Sequence, residues 1–115
     1  MVEKRSEPRI DVAWPLHVAG ICEWGEGRSI NVSLSGVSFA TNADFALGDL
    51  VVLRIAPDAD TSIDCVAEIV RADNRGGDKS YGAAFRYLSA ADRKRLNLSL
   101  LAARQPMVAS LRDSR

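Results

Sequence analysis

Two arginines near the amino terminus, Arg5 and Arg9, are four positions apart in a charged segment that has no apolar pattern. The planar guanidinium of arginine binds phosphate oxygens and the O6/N7 edge of guanine, and its flat face can stack on a base. Lys4, directly before Arg5, adds a third cation. These residue types at this spacing indicate a site for a small anionic ligand that contains a purine.

A second stretch, residues 30–36, alternates apolar residues with asparagine and serine. This period of two predicts a strand with an apolar face, which includes Ile30, and a polar face. The amide of Asn31 and the hydroxyl of Ser33 are therefore expected to point outward together. Gly36 ends the run, where we expect either a positive φ or a close approach of another group to the backbone.

The two stretches together resemble the paired motifs of PilZ domains, bacterial receptors for cyclic di-GMP, in which RxxxR is followed by [D/N]xSxxG. Arg5 and Arg9 match the first motif, and Asn31, Ser33 and Gly36 match the second, in the family's order. The resemblance implies that the arginines contact guanine and phosphate. It also implies that the residues of the second motif bind a guanine edge and shape a turn.

Apolar patterning along the chain predicts six short strands and one helix. The strands are expected at residues 9–19, 28–36, 37–41, 50–55, 62–72 and 81–87, separated by turn-rich segments at 20–27, 42–49 and 73–78. Short strands with turns between them are typical of a small antiparallel barrel. The predicted fold is mainly β, a six-stranded antiparallel β-barrel of the PilZ type with a C-terminal α-helix, and the resemblance, which covers residues 4–103, implies the same fold.

Ser89 and Asp92 have the spacing of a capping box, so a helix is predicted from there to about Arg104, before Pro106. The predicted organisation has three parts. Residues 1–8 form a flexible arm that carries part of RxxxR, residues 9–104 form the PilZ barrel and its helix, and residues 105–115 form a short tail.

Composition indicates one soluble globular domain, with 47% hydrophobic and 26% charged residues in a chain of 115. Fifteen basic and fifteen acidic residues cancel, which argues against a non-specific nucleic-acid or membrane binder. Cys22 and Cys65 lie far apart without metal-ligand spacing, so free thiols rather than a zinc site are expected. Neither a membrane-spanning run nor a signal peptide is found, and a cytoplasmic protein is expected.

No catalytic constellation is found in the sequence, so the chain is not expected to be an enzyme and requires no cofactor. We expect instead that cyclic di-GMP orders the arm over the polar strand face. The change in surface would then be relayed to an unidentified downstream protein.

The sequence is also compatible with two other functions. One is a PilZ-like adaptor that binds protein and no nucleotide, although the motifs are intact. The other is a barrel that binds RNA or single-stranded DNA through aromatic residues on a basic sheet face. The neutral charge balance, and the position of the aromatic residues on apolar strand faces, argue against a nucleic acid polymer as partner.

Lys4 bears on ligand stoichiometry. In the PilZ family, a basic residue at this position tends to accompany binding of two intercalated cyclic di-GMP molecules, whereas an apolar residue tends to accompany one. Two stacked ligands bring four phosphate charges, and a further cation offsets their repulsion. The resemblance therefore implies two ligand molecules per chain.

Overall fold

The structure is a computed structural model that describes residues 7–75 and 78–104. These residues form a barrel followed by a helix, with elements β1 (Pro15–Ala19), β2 (Trp24–Val32), β3 (Gly36–Thr41), β4 (Leu50–Asp58), β5 (Thr61–Arg75), β6 (Asp78–Tyr87) and α1 (Ala90–Arg104). The strands close in the order β1-β2-β3-β6-β5-β4, and every neighbouring pair is antiparallel. The predicted fold is confirmed. Most of the predicted arm and all of the predicted tail lie outside the described residues.

Alternating strand residues fill the interior of the barrel with apolar side chains. Because successive side chains in a strand point to opposite faces, each strand sends every second residue inward. The largest fully buried side chains are Leu16, Val18, Val32, Val37, Phe39, Val51, Leu53, Ile55, Ile63, Ile69 and Leu96. Removal of this apolar surface from water is the main stabilising contribution to the fold.

The first strand is shorter than predicted, because regular pairing begins at Pro15 rather than at residue 9. Proline lacks a backbone donor, so the first position of a strand suits it. The residues before Pro15 still lie alongside β2. Ile10 forms an isolated bridge with Val32, and the Ser29 hydroxyl accepts a hydrogen bond from the Trp14 amide at 2.9 Å. Trp14 packs, partly buried, against the core.

The second strand is longer than predicted, because residues 24–27 belong to β2 rather than to a turn. The Gly20 amide donates to the Glu23 carbonyl oxygen at 2.7 Å, so the chain reverses within four residues. Trp24 can then pair directly with Ala19. The predicted loop at residues 73–78 is also largely strand, since β5 continues to Arg75 and β6 begins at Asp78.

The helix begins as the capping pattern predicts. The Ser89 hydroxyl accepts a hydrogen bond from the Asp92 amide at 3.1 Å and lies 3.0 Å from the Asp92 carboxylate, to which it donates. Leu96 and Leu100 are buried against the barrel, where α1 packs beside β5. In the part of the chain that the structure describes, no helix is both long and apolar enough to cross a membrane.

The two cysteines should differ sharply in reactivity. Cys65 is buried in the core, and burial, together with nearby Asp64 and Asp92, raises the pKa of its thiol to about 12. Cys22 is exposed. Because the thiolate is the reactive form, we expect a thiol reagent at pH 8 to modify one cysteine in the native protein and two in denaturant. In Cys22→Ser, native protein should not react. Rapid modification of that variant would show that Cys65 is accessible.

Candidate functional site

The second motif lies where β2 passes into β3. Asn31 is the second-last residue of β2, Ser33 begins the connecting turn, and Gly36 is the first residue of β3. The Ser33 amide donates to the Gly36 carbonyl oxygen at 2.9 Å, and the Phe85 amide of β6 donates to the Ser35 carbonyl oxygen at 2.9 Å. The turn is therefore fixed both internally and against a neighbouring strand.

Ser33 is buried, with 2% of its surface exposed, and the expectation that it points outward is wrong. Its hydroxyl accepts a hydrogen bond from the Ser35 amide at 3.2 Å and lies 3.3 Å from the Ser35 hydroxyl. The alternating pattern ends at Val32, because the chain turns at Ser33 and side chains no longer alternate there. Ser33 therefore stabilises the turn that connects β2 to β3.

Gly36 is required for close approach and not for a positive φ. Of the glycines that the structure describes, Gly48 has a positive φ, and Gly36 does not. A Cβ atom on Gly36 would lie 2.5 Å from the carbonyl oxygen of Ala83 in β6. This is far inside van der Waals contact, so β3 and β6 can pair here only if residue 36 has no side chain.

A β-bulge determines where Asn31 points. Ser29 pairs with Phe39 and Asn31 pairs with Ser38, so Ile30 is the extra residue on β2. Ile30 is consequently 47% exposed, and its predicted position on the apolar face is wrong. The shift allows Ser29 and Val32 both to be buried while Asn31 lies on the outer surface of the barrel.

Arg9 meets Asn31 on that outer surface. Its guanidinium Nη1 donates to Asn31 Oδ1 at 2.8 Å, across 22 residues of sequence. The contact is possible because Ile10 exchanges two backbone hydrogen bonds of 2.9 Å with Val32, which places Arg9 beside the end of β2. The structure thus brings together Arg9 of the first motif and Asn31 of the second. Lys4 and Arg5 lie outside the described residues.

A further arginine, Arg71, reaches the same surface from the other side, and nothing in the sequence motifs indicates it. In the strand register, Asn31 pairs with Ser38, Ser38 with Gly82, and Gly82 with Arg71. We refer to Asn31, Ser38 and Gly82, which lie side by side across β2, β3 and β6, as the polar strip. Ser38 and Gly82 are buried and Asn31 is partly exposed. The Arg71 guanidinium passes over Gly82 and donates to the Ser38 hydroxyl at 3.0 Å.

The arginines at the two ends of the strip differ electrostatically from Arg54 and Arg86. The guanidiniums of Arg54 and Arg86 lie 2.7 and 2.9 Å from carboxylate oxygens. The hydrogen bond from Arg54 lowers the pKa of its partner, Asp64. Among the described residues, no carboxylate forms a salt bridge with Arg9 or Arg71. The strip is therefore flanked by two guanidiniums that form no salt bridge with a described carboxylate, although the formal net charge of the chain is zero.

Two grooves lie away from the strip. One, of about 740 Å³, is formed by residues 20–23, 44–45 and 48–50. The other, of about 480 Å³, lies between Trp24, Val52 and Arg54. Both are near the start of β2, whereas the turn follows the end of that strand. Neither contains a residue of the motifs.

The aromatic residues only partly follow expectation. Phe39 and Tyr81 are buried, and their ring centroids are 5.7 Å apart. Trp24 and Tyr87, however, are 72% and 64% exposed, so the expectation that aromatic residues occupy apolar faces is wrong for these two. Tyr87 turns outward because a register shift between β5 and β6 lies next to it, and Leu88 is buried in its place.

The groups at the strip are suited to binding rather than to catalysis. Guanidiniums, an amide and a hydroxyl donate or accept hydrogen bonds with phosphate and with base edges. No cluster of three metal-ligating side chains occurs within residues 7–75 and 78–104. The geometry thus favours an anionic ligand with a flat polar ring.

Comparisons with known proteins agree with this fold. A family model described as the PilZ domain matches residues 3–102. A search of curated protein sequences finds no significant match.

Among solved structures, similarity is high in fold and low in sequence. The cyclic di-GMP complex of YcgR from Escherichia coli has a TM-score of 0.78 at 14% identity, over 99% of this chain and 52% of that one. The motility inhibitor MotI/DgrA of Bacillus subtilis has a TM-score of 0.74 at 17% identity, over 94% and 53%. The isolated PilZ domain of YcgR with cyclic di-GMP has a TM-score of 0.73 at 12% identity, over 95% and 98%. The chain therefore spans about half the length of the first two proteins.

Gly36→Val should destabilise the barrel. The new side chain would collide with the Ala83 carbonyl oxygen, which is backbone and can move only if β3 and β6 separate. We expect the free energy of unfolding to fall by about 1–3 kcal/mol, measured by urea denaturation. Ala19→Val, which adds bulk at an exposed position of β1, is the control and should change stability by less than about 0.5 kcal/mol. Equal stability of the two variants would contradict the close approach.

Proposed function

The chain belongs to the PilZ domain family, and from this membership we propose that it is a receptor for the bacterial second messenger cyclic di-GMP. The observation that carries the proposal is the hydrogen bond between Arg9 and Asn31. It joins residues of the RxxxR and NxSxxG motifs on one outer surface. A receptor for this messenger would act in the bacterial cytoplasm and would bind its ligand without chemical change.

Cyclic di-GMP presents two phosphates and two guanines, which suit the groups at the site. In the proposed complex, Arg5 and Arg9 bind phosphate oxygens and the O6/N7 edge of guanine through their planar forks. Asn31 uses its amide at a guanine edge. Its Oδ1 already accepts from Arg9 and its NH2 group can donate. Ser33 and Gly36 hold the turn and act on the ligand through Asn31.

Binding would be relayed by the residues that precede Arg9. The bridge between Ile10 and Val32 anchors the chain directly after Arg9. A ligand held by both Arg5 and Arg9 would therefore bring residues 4–9 over the polar strip. This movement of residues 4–9 would change the surface that the protein offers to an unidentified downstream protein.

A second candidate is the PilZ-like adaptor that binds a protein partner without nucleotide. The exposed apolar side chains near the start of β2, among them Ile21, Trp24 and Leu50, favour protein binding at that end of the barrel. Calorimetric titration with cyclic di-GMP and with a single-stranded oligonucleotide separates the functions. A receptor binds only the first, a nucleic-acid barrel binds the second, and an adaptor binds neither.

Arg5→Ala and Arg9→Ala should each weaken binding of cyclic di-GMP by roughly 10- to 150-fold. Hydrogen bonds to charged groups contribute about 1.5–3 kcal/mol, which corresponds to that loss. Arg9→Lys should also bind weakly, because an ammonium has no planar fork. Because Arg9 is exposed, the Arg9→Ala variant should unfold at nearly the wild-type temperature. Wild-type affinity in both alanine variants would rule out this site.

The stoichiometry should be two ligand molecules per chain, and it should depend on Lys4. A cation there offsets the repulsion between the phosphates of two stacked ligands, so Lys4→Leu should bind one. Calorimetry measures the ratio directly. The second binding step should weaken with salt more steeply than the first. A ratio of one in wild type that is unchanged in Lys4→Leu would contradict the prediction.

A further inference from the structure

The outer face of the barrel near the start of β2 has a groove with apolar walls. In the strand register, Ala19 of β1 lies between Trp24 of β2 and Val52 of β4. All three residues are exposed, and Trp24 and Val52 are each more than half exposed. Because Ala19 is small, its two larger neighbours form the walls of the groove of about 480 Å³. The walls are two strand spacings apart, about 9.5 Å, which is close to the diameter of an α-helix.

The apolar surface continues into the larger groove. Leu50 lies two residues before Val52 on the same face of β4, and it lines that groove together with Ile21. Both side chains are more than half exposed. The two grooves adjoin, since Glu23 lines one and Trp24, the next residue, lines the other. We refer to Ile21, Trp24, Leu50 and Val52 as the apolar patch. Exposed apolar residues that are grouped in this way are typical of a protein interaction site.

Carboxylates lie around the apolar patch. They line the two grooves or lie beside Trp24 on the outer face of β2, and they are Glu23, Glu26, Asp44, Asp49 and Asp64. Asp64 and Asp44 form salt bridges with Arg54 and Lys79. Within residues 7–75 and 78–104, no lysine or arginine forms a salt bridge with the other three. The patch therefore has an apolar centre, and the carboxylates at its rim outnumber the cations that pair with them.

This surface is suited to a helix rather than to an extended peptide. Ala19, between the walls, pairs with strands on both sides, so an extended segment lying over it would leave main-chain groups without partners in the barrel. A helix forms its main-chain hydrogen bonds internally. Leu50 and Val52 are about 7 Å apart along β4, close to the spacing of about 5–6 Å between side chains one helical turn apart. A helix can therefore place one apolar side chain in each groove.

We propose that the apolar patch binds a basic amphipathic helix of a partner protein. The apolar side chains of the helix enter the two grooves, and its lysines or arginines lie at the surrounding carboxylates. The patch includes no residue of either motif, so the inference holds whether the chain is a cyclic di-GMP receptor or an adaptor. Trp24 and Asn31 lie towards opposite ends of β2, so the partner helix and the nucleotide occupy separate surfaces.

The test is calorimetric titration of the full chain with a synthetic amphipathic helix of leucine and lysine, and with a matched helix that has glutamate in place of lysine. We expect the lysine peptide alone to bind, and its affinity to fall with salt. Trp24→Ser should weaken binding about 10-fold or more, because a large aromatic residue often dominates such an interface. The control Leu98→Ser removes an exposed leucine from α1 and should bind within about twofold of wild type.

Two further variants separate the shape of the patch from its charge. Ala19→Val fills the floor of the smaller groove, and it should weaken binding of the lysine peptide about fivefold or more while the protein stays folded. Glu23→Gln combined with Glu26→Gln should weaken binding and reduce its dependence on salt. Asp58→Asn combined with Asp60→Asn removes the same charge beyond the other end of β4 and should change neither.

The other outcomes contradict the proposal in different ways. Equal binding of the two peptides would overturn the charge preference, and wild-type affinity in Trp24→Ser would overturn the patch as the site. If neither peptide binds wild type, the proposal fails. Self-association without peptide that is lost in Trp24→Ser, measured by sedimentation velocity, would identify a second copy of the chain as the occupant instead. Failure of wild type to bind cyclic di-GMP would overturn the proposed function and leave this inference standing.

Discussion

The alternation of inward and outward side chains in a closed barrel is the constraint that the site depends on. The interior is filled by apolar side chains, so the groups of the site that can bind a polar ligand lie on the outer surface. Outward positions of adjacent strands lie side by side, which is how Asn31, Ser38 and Gly82 become neighbours although they come from three strands. The site is therefore a consequence of strand register.

The segment that follows Arg9 is attached to this surface by hydrogen bonds within the chain. Backbone bonds between Ile10 and Val32, and the Ser29 hydroxyl, which binds the backbone of Val12 and Trp14, fix the chain that follows Arg9. These contacts within the chain place Arg9 at Asn31. A group that is positioned in advance loses less conformational entropy on binding, so more of its interaction energy contributes to affinity.

Much of the fold could be predicted from the sequence, because strand periodicity and helix capping are local properties. Strand register, in contrast, depends on residues that are distant in the sequence. The bulge at Ile30, the close approach at Gly36 and the passage of Arg71 over Gly82 all depend on which residue of another strand lies opposite. Arg9 and Asn31, one from each motif, do meet. The outward orientation expected of Ser33 is wrong, and of the two features expected at Gly36 the structure shows the close approach. Ser33 belongs to a turn that begins where the alternating pattern ends.

Closure of the sheet also limits how a protein partner can recognise this domain. An open sheet has edge strands whose unpaired amide and carbonyl groups can bind an extended peptide by strand addition. In this barrel each of β1 to β6 has a strand on both sides over part of its length, so that mode of recognition is restricted to stretches that extend past a neighbour, such as β5 beyond Glu68. Elsewhere a partner must recognise side chains and the connections between strands. Specificity towards partners can therefore change by substitution at the surface while the hydrogen-bonded framework of the barrel stays the same.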